Sequence, residues 1–353
     1  MMTLDPMALD PMVAGLFALQ FMQASLGCVL VGCGAWAVLA LAGRRWPALA
    51  LSRSSWLLAQ ILTVAALLFA MAPQGTQLSV MPPIELTLVR AAVPAAAPAA
   101  VAAAAPAQAI KAAPQSVEPS TRWLMRAALA WLALYLAGVA VTGGRLVLAQ
   151  RALRRLVRGA SALTDLAAHP GFGSAQAATV AVAVFETDLA VSPMLVGVWR
   201  PVLLLPRHLR DFDLNQQQMI IAHELTHLRR HDPLFLAASI AAQTALWFNP
   251  AVRKLGERLT WAQEVSCDQQ VLAGRAQPQR KAYAAALVEQ FKLQQGGFGA
   301  ALAFGPFKAT KATSLTARML LIRQGGALAA VRLSGLGRCS VIAGVGAVFA
   351  ASL

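Results

Sequence analysis

The sequence predicts a multi-span α-helical membrane protein with an α+β domain inserted between its third and fourth spans. Three observations lead there. The 353 residues are 58% hydrophobic and only 13% charged, with a mean hydropathy of +0.59, which lies outside the habit of soluble chains. Four apolar runs, one longer than the roughly twenty residues a bilayer requires and three near it, are separated by segments that carry arginine. Between the third and fourth runs, residues 145–333 have ordinary mixed polarity, with short strand-like stretches followed only by helical periods.

Residues 1–72 hold the first two spans. The N-terminus carries Asp5 and Asp10 but no Lys or Arg before the uncharged run 12–41, unlike a signal peptide. Arg44, Arg45 and Arg53 then form a short basic loop before the second run, 54–71. Residues 73–122 are rich in Ala and Pro, with Pro94, Pro98, Pro106, Pro114 and Pro119, and read as an extended tether with little to bury. The third span, 123–144, is followed at once by Arg145, Arg151, Arg154, Arg155 and Arg158, and the fourth, 334–353, carries only Arg338.

Short cytoplasmic loops are enriched in Lys and Arg, so the basic segments go inside. This orientation puts the tether outside and residues 145–333 in the cytoplasm of a multi-pass protein of the plasma (inner) membrane. The net charge of +15 is spread along the chain with no DNA-reading motif, which suits a domain resting on anionic lipid and not one that binds nucleic acid directly. Cys28, Cys33 and Cys339 fall in spans and Cys267 in a reducing compartment, so no disulfide is expected and Cys267 reads as packing.

Within 145–333, strands are expected at 179–185, 189–191, 194–198 and 202–205. A helix over 214–230 follows, started by a capping box of Asp213 and Gln216 and stopped before Asp232-Pro233, which reads as an N-cap and first-turn proline. This helix contains His223-Glu224-Leu225-Thr226-His227. Residues four apart lie one turn above each other, so His223 and His227 can offer imidazole nitrogens to one Zn2+ ion, with Glu224 beside the open coordination position. That is the layout of a zinc metallopeptidase, and a core helix with two incidental histidines is the bland alternative.

A catalytic zinc takes a third protein ligand. His231 lies about 12 Å along the helix from His223, too far to converge, and reads as a helix-end histidine. Glu264 is the better candidate, on a helix that Gly274 can end. Glu264 and Asp268 share one face, which would let the first bind metal while the second accepts the other N–H of a ligand histidine; a solvated acidic face is the alternative. The uncharged run 234–248 is about 22 Å long as a helix, short of a roughly 30 Å core, and reads as buried or membrane-apposed and not as a crossing.

The zinc helix with Arg230 and Asp232, the Trp247-Phe248-Asn249-Pro250 block, the stretch from Glu264 to Asp268, and Ser192-Pro193-Met194-Leu195-Val196-Gly197-Val198-Trp199-Arg200-Pro201 together resemble the BlaR/MecR-type antirepressor family of integral-membrane zinc metallopeptidases. The resemblance implies a gluzincin-like cytoplasmic domain, with His223, His227 and Glu264 as zinc ligands and Glu224 as catalytic base. It also implies a signal-responsive protease that cleaves itself and then a transcriptional repressor. Beta-lactam sensors of that family carry a penicillin-binding domain; no Ser in this sequence is followed three places later by Lys, so such a sensor is not expected in these residues and the stimulus stays open.

Glu224 is expected to accept a proton from water and pass it to the leaving amine. Tyr283 is the candidate donor to the oxyanion, against a packing role in the helix through Leu287. A substrate peptide would add as a strand beside 180–184 or 194–198. The partners expected are a protein substrate and the lipid bilayer, with a homodimer allowed. A membrane quality-control zinc protease and a non-enzymatic, zinc-stabilised receptor are the rival readings.

Overall fold

The computed structural model describes residues 11–72, 119–172, 182–295 and 312–323. The expected fourth span and most of the outer tether lie outside these residues. The chain opens with α1 (Pro11–Arg45), the single turn α2 (Pro47–Ala50), α3 (Arg53–Met71) and α4 (Pro119–Arg158). Among the described residues, α1, α3 and α4 are long and apolar enough to cross a membrane.

Helix α4 does not stop at residue 144 as expected. It runs unbroken for 40 residues, through Gly143 and Gly144. Each glycine costs a helix only about 1 kcal/mol, too little to break one that continues for several turns on either side. Beyond them the helix turns amphipathic, with Leu153 and Leu156 buried and Arg151, Arg154, Arg155 and Arg158 exposed.

Four short strands follow: β1 (Ser161–Ala162), β2 (Val184–Thr187), β3 (Met194–Val196) and β4 (Val202–Pro206), in the sheet order β1-β2-β4-β3. β2 and β4 are parallel and the other pairs antiparallel. The strand expected at 189–191 is instead a tight turn, with Val191 N–H donating to the carbonyl of Leu189. The first expected strand is shifted towards Thr187, and its residues 179–181 lie outside the described ones. β4 is buried on both faces: Leu203 and Leu205 pack under the helix that bears the His-Glu-x-x-His motif, and Leu204 packs on Leu156 of α4. A continuous apolar run is what such a strand requires.

After a 3₁₀ turn (Arg207–Asp211) come α5 (Leu214–Arg229), α6 (Asp232–Ala245), α7 (Pro250–Val271), α8 (Gln277–Gln295) and α9 (Ala312–Arg323). The capping box forms as expected: Asp213 accepts from Asn215 N–H, and Gln216 accepts from Asp213 N–H. Asp232 does not cap α6. His231 precedes it with φ 57°, and this left-handed residue turns the chain sharply enough for Asp232 to fold back on α5.

Helices α6 and α7 form a hairpin that inserts among the apolar helices. At its tip, Asn249 caps α7 through Ala251 N–H and donates from Nδ2 to the carbonyl of Cys28 in the middle of α1. Trp247 donates to the carbonyl of Tyr135 in α4, and its ring lies where a Cβ on Gly138 would be. Climbing back, α7 lays Leu255, Leu259 and Ala262 against Ala35, Leu39 and Ala42 of α1 and Trp56 and Ala59 of α3. The stretch 234–248 therefore neither crosses the bundle nor merely lies on it. It enters about halfway and turns back, because Asn249 and Pro250 end one helix and start the next.

Candidate metal centre

One turn of α5 sets His223 and His227 with ring centroids 4.7 Å apart, and their Nε2 atoms are 3.1 Å apart. Glu264, on α7, brings Oε2 to 3.6 Å from Nε2 of His223 and Oε1 to 3.6 Å from Nε2 of His227. The three donors lie within 4.8 Å of one another.

The far side of each ring explains why both Nε2 atoms face this point. His227 Nδ1 lies 2.7 Å from Asp232 Oδ2, an acceptor only, so Nδ1 carries the hydrogen. His223 Nδ1 lies 2.9 Å from the hydroxyl of Tyr283, which itself donates to Asp268 Oδ1 at 2.7 Å and so receives from the imidazole. When both rings are neutral, their Nε2 lone pairs turn towards each other beside a carboxylate. The point between them calls for a cation, which a proton on His223 or a metal ion can supply, and two imidazoles with one carboxylate are ligands that suit zinc.

Arg318 of α9 closes the back of the site. Its Nε and Nη2 each donate to Asp268 at 2.7 Å, and Nη1 reaches Glu264 Oε2 at 2.8 Å. Burial alone would raise both acids, but the Arg318 guanidinium outweighs it, holding Asp268 at about 2 and Glu264 well below the usual carboxylate range. Burial lowers His227 to about 4, helped by charge on His223. His223 goes the other way: against the pull of burial, hydrogen bonds to Asp268 and Glu264 raise it to about 10. Glu224 stands half-buried on the groove, and burial lifts its carboxyl to about 7.

The groove in front of the centre is a cavity of about 980 Å³. Edge strand β3 forms one wall, α4 contributes Leu146 and Leu153, and α6 contributes Leu234, Ala237 and Ile240. Of the alternative edge expected at 180–184, residues 180 and 181 lie outside the described ones, and Val184 belongs to β2, which is paired by β1 on one side and β4 on the other.

The structure brings His223, Glu224, His227, Glu264 and Asp268 together. His231 is exposed at the turn, outside the donor group. Tyr283 does not fit an oxyanion donor: it is fully buried behind His223, and its hydroxyl is committed to Asp268 and Nδ1. Its place is to orient the imidazole. Cys267 is buried with Sγ 3.3 Å from His227 Nδ1. His227, Asp232 and Cys267 form a second close group of donors. Arg53 and Arg230 flank Asp232, and burial pushes the Cys267 thiol up to about 12, so in this structure the group backs the far side of His227.

Sequence reasoning missed Asp232, Arg318 and Arg53 as parts of the site. Asp232 could have been suspected from its place five residues after His227 at a helix end. Arg318 and Arg53 carry no local signal, since each reaches the site from a separate segment.

Residues 19–322 match the family profile described as BlaR1 peptidase M56. A stretch of 87 residues, 25% of the chain, is 33% identical to the Regulatory protein BlaR1 of Bacillus licheniformis and spans 14% of that relative's length. With three apolar helices, a paired-histidine centre and a profile that covers most of its length, the chain belongs to the BlaR1 peptidase M56 family of membrane metallopeptidases.

Proposed function

We propose that the chain is a zinc endopeptidase in the plasma membrane whose active site faces the cytoplasm. The observation that carries this reading is the convergence of two imidazole lone pairs and the Glu264 carboxylate on one point, with Glu224 open to the groove beside it. His223, His227 and Glu264 would hold the zinc. A zinc ion held there would supply Lewis acidity towards a peptide carbonyl and water. Glu224, poised near neutrality, accepts the proton from water and returns it to the departing amine. Asp232, Asp268 and Tyr283 keep the two imidazoles in the tautomer that leaves Nε2 free. Strand β3, at the edge of the sheet among the described residues, can take an extended peptide and present its scissile bond to the centre.

Arginines 44, 45 and 53 and those from 145 to 158 support a cytoplasmic centre, since short cytoplasmic loops are enriched in Lys and Arg. As in the resemblance to antirepressor proteases, the expected targets are the chain itself and a transcriptional repressor, cleaved in response to a signal. Proteomics of cells with the wild type and with Glu224→Gln separates this from broad quality control: one or two stabilised proteins support regulation, many support degradation.

The test of the ligand set is a zinc titration of the detergent-purified chain against a competing chelator. His223→Ala, His227→Ala and Glu264→Ala are each expected to lose zinc at sub-micromolar free metal, while His231→Asn keeps it. Asp268→Ala is expected to weaken zinc by about 10 to 100-fold, the usual cost of removing a group that holds a ligand, and still to load in excess metal. Zinc retained by Glu264→Ala but lost by Asp268→Ala would reverse their roles.

A pH dependence follows. In the metal-free protein His223 is charged below about 10, and it must be neutral to bind metal. Zinc binding at neutral pH therefore expels one proton, and affinity is expected to rise about tenfold per pH unit above 7 and to fall as pH drops. The same titration at pH 7 and pH 8 checks this, and equal affinities would mean that His223 is already neutral.

A further inference from the structure

We propose that Arg53, the first residue of helix α3, is a positioning residue for His227, so that zinc affinity depends on how this apolar helix is seated against the centre. This rests on the zinc reading of the site. The Arg53 guanidinium donates to Asp232 Oδ1, and its carbon lies 4.0 Å from the centre of the Phe235 ring. The other Asp232 oxygen accepts from His227 Nδ1 at 2.7 Å. A chain of two contacts thus runs from the end of an apolar helix to a metal-facing imidazole.

Asp232 is almost completely buried, and a buried carboxylate needs a partner to stay ionised and aimed. Arg230 is the other cation beside it, with Nε 3.4 Å from Oδ2, but that Nε makes no hydrogen bond. The carbonyl of Asp232 is held separately, by Gln263 Nε2. Arg53 is therefore the charged hydrogen-bond donor that fixes the carboxylate, and through it the direction in which His227 presents Nε2. In its next turns α3 buries Trp56 and Ala59 against Leu259 and Ala262 of α7, just before Glu264. One apolar helix thus touches the supports of a histidine and of the carboxylate, and a shift of α3 would be felt by both.

The experiment is a zinc titration of the full chain in detergent, with a competing chelator, for the wild type, Arg53→Gln, Arg53→Lys, Asp232→Asn and the double variant Arg53→Gln/Asp232→Asn. Arg53→Gln is expected to weaken zinc about tenfold or more, within the range for groups that hold a metal ligand. Arg53→Lys keeps the charge and should fall between it and the wild type. The double variant should bind no more weakly than Asp232→Asn alone, because Arg53 acts only through that carboxylate. Unchanged affinity in Arg53→Gln overturns the inference, as do losses that multiply in the double variant, which would mean a general loosening of the fold. If Arg53→Gln does not fold, the same comparison is made with Arg53→Lys in the wild-type and Asp232→Asn backgrounds. A wild type that binds no zinc overturns the zinc reading itself, and is told apart from either result by the first titration.

Discussion

Glu224→Gln is expected to cut proteolysis by roughly two to four orders of magnitude, the range for loss of a general acid–base group, while zinc affinity stays near that of the wild type. Glutamine keeps the size of the side chain but cannot accept the proton from water. The three donors are on His223, His227 and Glu264, and none of them contacts Glu224 through a hydrogen bond among the described contacts. Cleavage of a reporter peptide or of the chain itself, measured beside metal content, checks both halves. Near-native cleavage in the metal-loaded variant would remove Glu224 from the mechanism.

A fragment beginning at Arg145 is expected not to fold, although residues 145–333 look like a separate domain in the sequence. Leu246, Val252, Leu255 and Leu259 of the inserted hairpin are buried largely against α1 and α3. Exposing four such side chains costs about 1.5 to 3 kcal/mol each, so the sum is comparable to the roughly 5 to 15 kcal/mol that keeps a whole domain folded. Arg53 and its hold on Asp232 would go as well. Size-exclusion chromatography and amide hydrogen exchange of the fragment, set beside the full chain in detergent, decide the matter. A monodisperse fragment that binds zinc as the full chain does would show that the hairpin carries its own core.

What was legible in the sequence was local. The capping box at Asp213, the helical spacing of His223 and His227, the shared face of Glu264 and Asp268, and the apolar runs all show themselves within a few turns of chain. What was not legible joins distant segments. Asp232 meets Arg53 across 179 positions, Asp268 meets Arg318 across 50, and Asn249 meets Cys28 across 221. Neither period nor propensity records such pairings. The strands failed for a related reason: residues 189–191 are apolar enough for a strand but form a turn with no pairing partner among the described residues, and β2 proved interior because β1, two residues long, covers its other edge. For Tyr283 the sequence gives the residue's presence and not its direction, and its hydroxyl turns to Asp268 and to Nδ1 of His223.

The unbroken α4 makes a lever. Gly138 bears on the Trp247 ring at the hairpin tip, Leu153 lines the groove, and Leu156 lies beneath the sheet, all on one helix. Fifteen residues separate Gly138 from Leu153, about 22 Å at 1.5 Å per residue. With Trp247 as fulcrum, a tilt of about 5° would carry the groove wall about 2 Å over that arm. A rotation of α4 about that contact would therefore move one wall of the groove on which Glu224 also stands.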